Sequence, residues 1–307
     1  MKELGDGAVI ILEEGVLQEN ADGTFTATTA VAADYWELCP SERFSEQLLI
    51  SAESYCSGFL LSTNPPWIGT AAHCVEGDLS NRLVVFGFQL LSKKNERLVF
   101  QAKDVFKVKR LVVSGEAEGE IGADFGVIEL DKNVVGYSAY KTVNSDLKIG
   151  DKLTVIGYPI GLPKKTDSGG SVNAVSTSLI QADTDSYGGN SGSPAFDSKG
   201  RLAAILVGGT QDLVSSEDSC LVSNVCPGGP GCDTLGEELV PICAIMSNKE
   251  VSDQLGLNCP NAANPGPVPI GNPDESSIRV DNNDNNDKGH STVLIPFFAV
   301  TVAAALL

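Results

Sequence analysis

The amino-acid sequence predicts an all-β protein, built as either a barrel or a sandwich. From about Leu48 onward, the chain consists of short runs rich in β-branched and aromatic residues, separated by turns rich in Gly and Asn. Apolar residues with the 3.6-residue period of a helix are almost absent from this region. Many short strands without long helices are typical of barrels and sandwiches.

Seven runs have the composition and length of strands. They are residues 55–61, 82–88, 105–113, 125–130, 152–158, 171–181 and 201–207. One helix is predicted near residues 248–255, because Asn248 or Ser247 can cap its start and Gly256 can end it.

Residues 1–47 are predicted to form an N-terminal extension before the β-rich domain. Their apolar run, residues 8–12, is short for a signal peptide, and acidic residues crowd it on both sides. At the other end, residues 260–291 are rich in Pro, Asn, Gly and Asp and are predicted to be a disordered linker. The region between them, residues 48–259, is predicted to be the folded β-rich domain.

The last segment, residues 292–307, is an apolar tail with no charged residue. A polar spacer with small residues, followed by a terminal apolar run, is the layout of a GPI-attachment signal. The alternative is a membrane anchor, although 16 residues barely span a bilayer. Either reading predicts a secreted or surface-tethered protein.

Composition and charge exclude several classes of partner. The net charge of −19 argues against nucleic acid and anionic membrane surfaces, which bind clustered Lys and Arg. Eight cysteines indicate an oxidising compartment and disulfides. With His73 and His290 as the two histidines of the sequence, we expect no metal site and no cofactor.

Three segments together carry the chemistry of a nucleophilic hydrolase. They are TAAHC with His73, ADFGV with Asp124, and GGNSGSP with Ser191. Such catalysis needs a hydroxyl nucleophile, an imidazole that takes its proton, and a carboxylate that orients the imidazole. Because no histidine lies between Ser191 and the predicted linker, the α/β-hydrolase order of these residues is excluded.

These segments resemble those of the trypsin/chymotrypsin-like serine peptidases over roughly residues 39–208. The GGNSGSP form of the serine loop is closest to the bacterial-type branch that includes glutamyl endopeptidases. The resemblance implies two six-stranded antiparallel β-barrels, at about residues 48–131 and 132–244, followed by a short C-terminal helix. It also implies a disulfide between Cys56 and Cys74, which would clamp the histidine loop.

The resemblance assigns roles to the site residues. His73 would be the general base, Asp124 would orient it, and Ser191 would be the nucleophile. The N–H groups of Gly189 and Ser191 would form the oxyanion hole. The implied activity is endopeptidase action on a protein or peptide substrate by a monomer. Asn190 replaces the acidic residue that pairs with a newly cut N-terminus in trypsin, so that activation switch is not expected.

Substrate preference is the least determined property. Asp185 and Ser186 lie where trypsin binds Arg or Lys side chains, and Val207 and Gly208 lie on the strand expected to line the same pocket. A carboxylate facing a cation would give a basic preference. Asp185 could equally be a solvated loop residue, and acidic residues also occur near this position in the glutamyl branch.

Two other functions stay open from the sequence. The chain could be a peptidase-like surface module that binds a partner without cutting it. It could also prefer Glu or another residue before the scissile bond, or act on esters with the same residues. The complete set of three catalytic residue types favours the endopeptidase.

Overall fold

The computed structural model describes residues 4–92, 95–115, 124–225, 236–257 and 259. The predicted linker, the apolar tail, Cys226 and Cys232 lie outside the described residues. The strands are β1 Ala8–Glu13, β2 Leu17–Glu19, β3 Phe25–Ala27, β4 Thr29–Val31, β5 Leu48–Ile50, β6 Tyr55–Thr63, β7 Pro66–Thr70, β8 Arg82–Phe86, β9 Leu90–Ser92, β10 Asn95–Glu96, β11 Val99–Phe100, β12 Val105–Ser114, β13 Gly126–Leu130, β14 Leu153–Gly157, β15 Lys165–Asp167, β16 Val172–Val175, β17 Ile180–Ala182, β18 Pro194–Asp197, β19 Leu202–Gly208, β20 Leu213–Ser215, β21 Leu221–Ser223 and β22 Glu237–Pro241. The α-helices are α1 Ala32–Trp36 and α2 Lys249–Leu255.

The first half of the chain forms a closed six-stranded barrel with the strand order β1-β6-β7-β13-β12-β8. Every pair in it is antiparallel. This agrees with the predicted all-β fold and with the six strands that the family resemblance implies.

Strand β1 corrects the predicted N-terminal extension. It pairs with β6 and β8, so the first barrel begins at Ala8 rather than near Leu48. Its five apolar residues are all buried: Val9 and Ile11 face one apolar cluster, whereas Ala8, Ile10 and Leu12 face another. A strand buried on both faces lacks the alternation of polar and apolar residues, so its apolar run does not show the two-residue period that identifies a strand.

The second half forms a seven-stranded sheet with the order β15-β14-β18-β19-β22-β17-β16. The sheet curls, and a single bridge between Lys152 and Ser171 joins its β14 and β16 ends. The two-barrel class is therefore confirmed, but this second barrel has seven strands and is not fully closed.

The strand predictions are correct in position and differ in their bounds. The predicted run 171–181 is two strands, β16 and β17, because Ser176 forms a turn with Leu179 between them. Helix α2 is confirmed: the Asn248 side chain accepts a hydrogen bond from Val251 N, and Gly256 ends the helix with φ of 58°.

The two barrels pack against each other through one large apolar core. Strand β1 and β6 contribute Ile10 and Phe59, and the second barrel contributes Tyr158, Phe196 and Ile205. These side chains are at most 1% exposed. Such burial holds the ends of β6 and β7 against the loops of the second barrel, which positions the site described below.

Three disulfides join described cysteines: Cys39–Cys220, Cys56–Cys74 and Cys243–Cys259. The first ties the segment after α1 to the β20–β21 hairpin of the second barrel. No helix among the described residues is long and apolar enough to cross a bilayer.

Candidate active site

His73 and Asp124 lie at the adjoining ends of two paired strands. His73 opens a short 3-10 turn just after β7, and Asp124 comes two residues before β13. Thr70 of β7 is opposite Gly126 of β13. A Cβ at Gly126 would come within 2.7 Å of Val75, so the glycine lets the histidine turn approach this strand closely.

The Asp124 carboxylate holds the histidine turn with three hydrogen bonds. Its Oδ2 atom lies 2.7 Å from His73 Nδ1, and its Oδ1 accepts from the backbone N–H groups of Ala72 at 2.6 Å and His73 at 3.1 Å. A carboxylate can only accept here, so His73 Nδ1 carries the proton and Nε2 presents a lone pair.

The disulfide Cys56–Cys74 lies directly beside this pair. Both sulfur atoms lie within 4.8 Å of a ring nitrogen of His73. Because the sulfurs are bonded to each other, neither offers a thiolate to a metal. The bridge instead links β6 to the histidine turn, as the family resemblance implies.

The serine loop is fastened to the same strand, β6. Ser57 N donates to Ser191 O at 2.8 Å, and Ser57 Oγ donates to Gly189 O at 2.8 Å. Cys74 Sγ lies 3.7 Å from Ser191 O. The loop before β18 in the second barrel and the histidine turn of the first barrel therefore meet at one place.

Gly192 makes this close contact possible. Its φ is +86°, and a Cβ at this position would lie 2.1 Å from both Ser57 O and Thr70 Oγ1. Thr70 Oγ1 itself donates to Ser57 O at 2.7 Å. Any larger residue at position 192 would be strained and would push the serine loop off β6.

The two N–H groups predicted to bind an oxyanion have no hydrogen-bond partner within the described chain. Gly188 O accepts from Ile160 N at 2.6 Å, and Asn190 O accepts from Ser193 N at 2.8 Å. In a trans peptide the N–H points away from the C=O. The N–H groups of Gly189 and Ser191 are therefore directed away from these interior contacts.

The side chain of Ser191 is not hydrogen-bonded to His73 in the described part of the chain. The hydrogen bonds of His73 go to Asp124, and the serine loop contacts β6 through the backbone oxygens of Gly189 and Ser191. Catalytic hydrogen bonds are often long in a peptidase without substrate and shorten when substrate is bound.

Asp185, predicted to bind a basic side chain, already has a cation. Arg43 donates to both of its carboxylate oxygens, one of them at 2.5 Å from Nη2. Arg43 also lies over the ring of Tyr187, 4.9 Å from its centroid. The Asp185 side chain is 53% exposed. This pairing removes the free carboxylate on which the predicted basic preference depended.

The other three predicted substrate-binding residues have different surroundings. Ser186 Oγ accepts from Asn190 Nδ2 at 3.0 Å, so it braces the serine loop. Val207 is 6% exposed and its side chain packs in the apolar core. Gly208, at the end of β19, lies opposite Glu238 of β22.

Two carboxylates near the serine loop were missed by sequence reasoning. Asp212 Oδ2 accepts from Gly188 N at 2.6 Å, and burial raises the pKa of Asp212 to about 6. Burial and the nearby Asp212 charge raise the pKa of Glu237 to about 8. Glycines at 208 and 209 were the available signal, because residues without side chains leave room for a neighbouring carboxylate.

Comparison with known proteins agrees with this geometry. Residues 56–205 match the trypsin-like peptidase domain family. The glutamyl endopeptidase of Bacillus licheniformis is 30% identical over 147 residues, which cover 46% of this chain and 45% of that relative. The chain thus matches less than half the length of this curated relative.

The matched residues include His73, Asp124 and Ser191, and they extend from β6 into β19. This stretch spans most of the first barrel and the centre of the second. Residues 56–205, with the two-barrel fold around them, belong to the trypsin/chymotrypsin-like serine peptidase superfamily.

Proposed function

We propose that this chain is a serine endopeptidase that hydrolyses peptide bonds through an acyl-enzyme on Ser191. The observation that carries the proposal is the 2.7 Å contact between His73 Nδ1 and Asp124, at the place where the serine loop meets the histidine turn. Family membership supports the same activity.

In the proposed reaction, His73 Nε2 takes the proton of Ser191 Oγ as that oxygen attacks the substrate carbonyl carbon. Asp124 keeps the second ring proton on Nδ1 and stabilises the imidazolium that forms. The imidazolium then gives its proton to the leaving amine, and the C–N bond breaks. A water molecule, deprotonated by the same imidazole, hydrolyses the resulting ester and restores Ser191.

The negative charge that develops on the carbonyl oxygen of the substrate must be stabilised by hydrogen-bond donors that have no other acceptor. The N–H groups of Gly189 and Ser191 meet this condition, because the carbonyls on the other side of their peptides bind Ile160 and Ser193. Donors held rigidly in this way require no reorganisation when charge develops. This arrangement favours catalysis over mere binding of a partner.

An oxidising location is part of the proposal. Disulfide bonds persist in oxidising compartments outside the cytosol. The three disulfides of the described chain, Cys39–Cys220, Cys56–Cys74 and Cys243–Cys259, therefore support such a location. Tethering through residues 292–307 stays a prediction from the sequence, because these residues lie outside the described part.

A fluorophosphonate probe tests the activity directly, since it reacts with a serine that has an activated hydroxyl group. We expect stoichiometric labelling of Ser191 in the wild-type protein and cleavage of unstructured protein substrates. Ser191→Ala should abolish labelling and lower kcat by about 10⁵-fold or more.

Ser193→Ala is the matched control, because it removes a buried hydroxyl two residues away that has no hydrogen-bond partner among the described residues. It should retain labelling of Ser191. A folded wild-type protein that neither reacts with the probe nor cleaves any substrate would exclude the proposed function and leave the binding module as the alternative.

A further inference from the structure

The carboxylate of Glu237 lies against the strand end that is expected to line the substrate pocket. A Cβ built on Gly209 would lie 2.0 Å from Glu237 Oε2 and 2.3 Å from its Cδ. Gly208 stands next to Gly209 and lies opposite Glu238. The Glu237 carboxylate therefore fills the space that a side chain at position 209 would otherwise take.

Asp212 connects this carboxylate to the serine loop. It accepts from Gly188 N at 2.6 Å, three residues before Ser191. Its charge also acts on Glu237, so the two carboxylates are close enough to interact. Together they extend from β22 to the loop that carries the proposed nucleophile.

No cation of the described chain compensates this pair. The charged groups that act on Glu237 are Asp212, Glu238 and Asp185, and the one hydrogen bond that favours its ionised form comes from the backbone of Thr210. Burial and these like charges together raise the pKa of Glu237 to about 8. Both carboxylates are half-buried, and carboxylates removed from water are normally paired with a cation.

The cation Arg43 is paired with a different carboxylate, that of Asp185. It contacts both oxygens of Asp185 and the hydroxyl of Tyr187, in an ion pair at the surface. Asp185 thus has an internal counter-ion, whereas Glu237 and Asp212 have none among the described residues. With a pKa of about 8, Glu237 is largely protonated at neutral pH in the free protein, and a substrate cation placed beside it would favour the ionised carboxylate.

We propose that Glu237, assisted by Asp212, is the acidic group that selects Arg or Lys before the scissile bond, and that Asp185 does not have this role. The inference rests on the proposed function, because it names the substrate class of the same site. A guanidinium or ammonium group placed between the two carboxylates supplies the missing counter-charge. A Glu side chain would add a further negative charge and be rejected.

Four peptides that differ only in the residue before the cut, Arg, Lys, Leu or Glu, test this assignment. For the wild-type protein, kcat/KM should be at least about tenfold higher for Arg and Lys than for Leu. Glu237→Gln should lower the Arg-to-Leu ratio by about tenfold or more, and Asp212→Asn should lower it in the same direction. Glu237→Lys should move the preference towards Glu.

Asp185→Asn is the decisive comparison, because it removes the carboxylate at the position that trypsin uses. It should leave the Arg-to-Leu ratio near its wild-type value. Asp253→Asn removes an equal charge from the exposed pair with Lys249 on α2 and controls for net charge. Fluorophosphonate titration counts assembled sites in each variant, so that every rate is expressed per active serine.

The outcomes separate the two proposals. If titratable Glu237→Gln keeps the wild-type Arg-to-Leu ratio, or if Asp185→Asn loses it, the assignment to Glu237 is wrong and the endopeptidase stands. Preference of the titratable wild-type protein for Glu or Leu overturns the assignment in the same way. Absence of both titration and cleavage in the wild-type protein would instead overturn the proposed function.

Discussion

Two acidic sites, one in each barrel, differ in how their charge is paired. In the first barrel, Glu129 accepts from Lys109 and Arg110, and these hydrogen bonds hold its pKa below the usual range. In the second, no cation among the described residues pairs with Glu237 or Asp212, and burial raises the pKa of both carboxyl groups. A carboxylate that is partly removed from water and has no counter-ion costs stability, and carboxylates with raised pKa values are typical of functional sites.

The barrels also differ in closure. The first is complete, and it holds His73 and Asp124 at the ends of two adjacent strands. The second is a curled sheet joined by one bridge, and its contributions to the site come from loops and a strand end. A rigid barrel suits the part of the site that must keep its geometry, and loops suit the part that must match a substrate.

The largest expected effect concerns the first barrel. Asp124→Asn keeps an oxygen that can accept from Ala72 and His73, but it loses the charge that favours the Nδ1 proton. We expect kcat to fall by about 10⁴-fold with little change in KM. Steady-state kinetics measure this, and thermal unfolding serves as the control. An activity within tenfold of wild type would exclude Asp124 from its proposed role.

A second test compares two glycines with positive φ, one in each region. Gly192→Ala places a Cβ 2.1 Å from Ser57 O and Thr70 Oγ1, so the serine loop must shift. Displacing the loop misaligns both the nucleophile and the oxyanion donors, and kcat/KM should fall by about 10²-fold or more.

Gly15→Ala is its matched control, because Gly15 has a φ of +102° and nothing within 4 Å of the added Cβ. Its cost should be limited to backbone strain, about 1 kcal/mol of stability, with unchanged kinetics. Equal catalytic losses in the two variants would show that strain alone, and not contact with Ser57, explains the effect.

The smallest effect is on the pH dependence of stability, and its sign should differ between the barrels. The pKa of Glu129 is lowered in the folded protein, so its contribution is present above the unfolded pKa and is lost as the pH falls. The pKa of Glu237 is raised from 4.5 to about 8, so the folded state binds the extra proton and stability declines between these values as the pH rises.

Glutamine substitutions separate these two effects. Glu129→Gln should lower Tm at pH 7 and have less effect near pH 3. Glu237→Gln should leave Tm nearly unchanged near pH 4 and raise it by a few degrees at pH 8 to 9. Calorimetry across this pH range measures both, and a decrease in Tm for Glu237→Gln at pH 9 would contradict the uncompensated charge.

Much of the fold could be predicted because local sequence signals and tertiary structure agree in this chain. The strands from β6 to β19 either alternate between apolar and polar residues or are bounded by turn residues. Asn248 and Gly256 indicate the two ends of α2. Strand β1 could not be identified in this way. Its residues are buried on both faces, so its place depends on β6 and β8, strands that lie more than forty residues further along the chain.

The motifs alone identify the reactive groups: a histidine in TAAHC, an aspartate before β13 and a serine in GGNSGSP. The pattern of short apolar runs likewise predicts the all-β class. Which of the carboxylates have a cation beside them depends on contacts across the fold. Arg43 and Asp185 are 142 residues apart in the chain, yet they neutralise each other. Charge pairing depends on distances across the fold, and these are not encoded in any single motif, so substrate selection passes from Asp185 to Glu237 in our proposal.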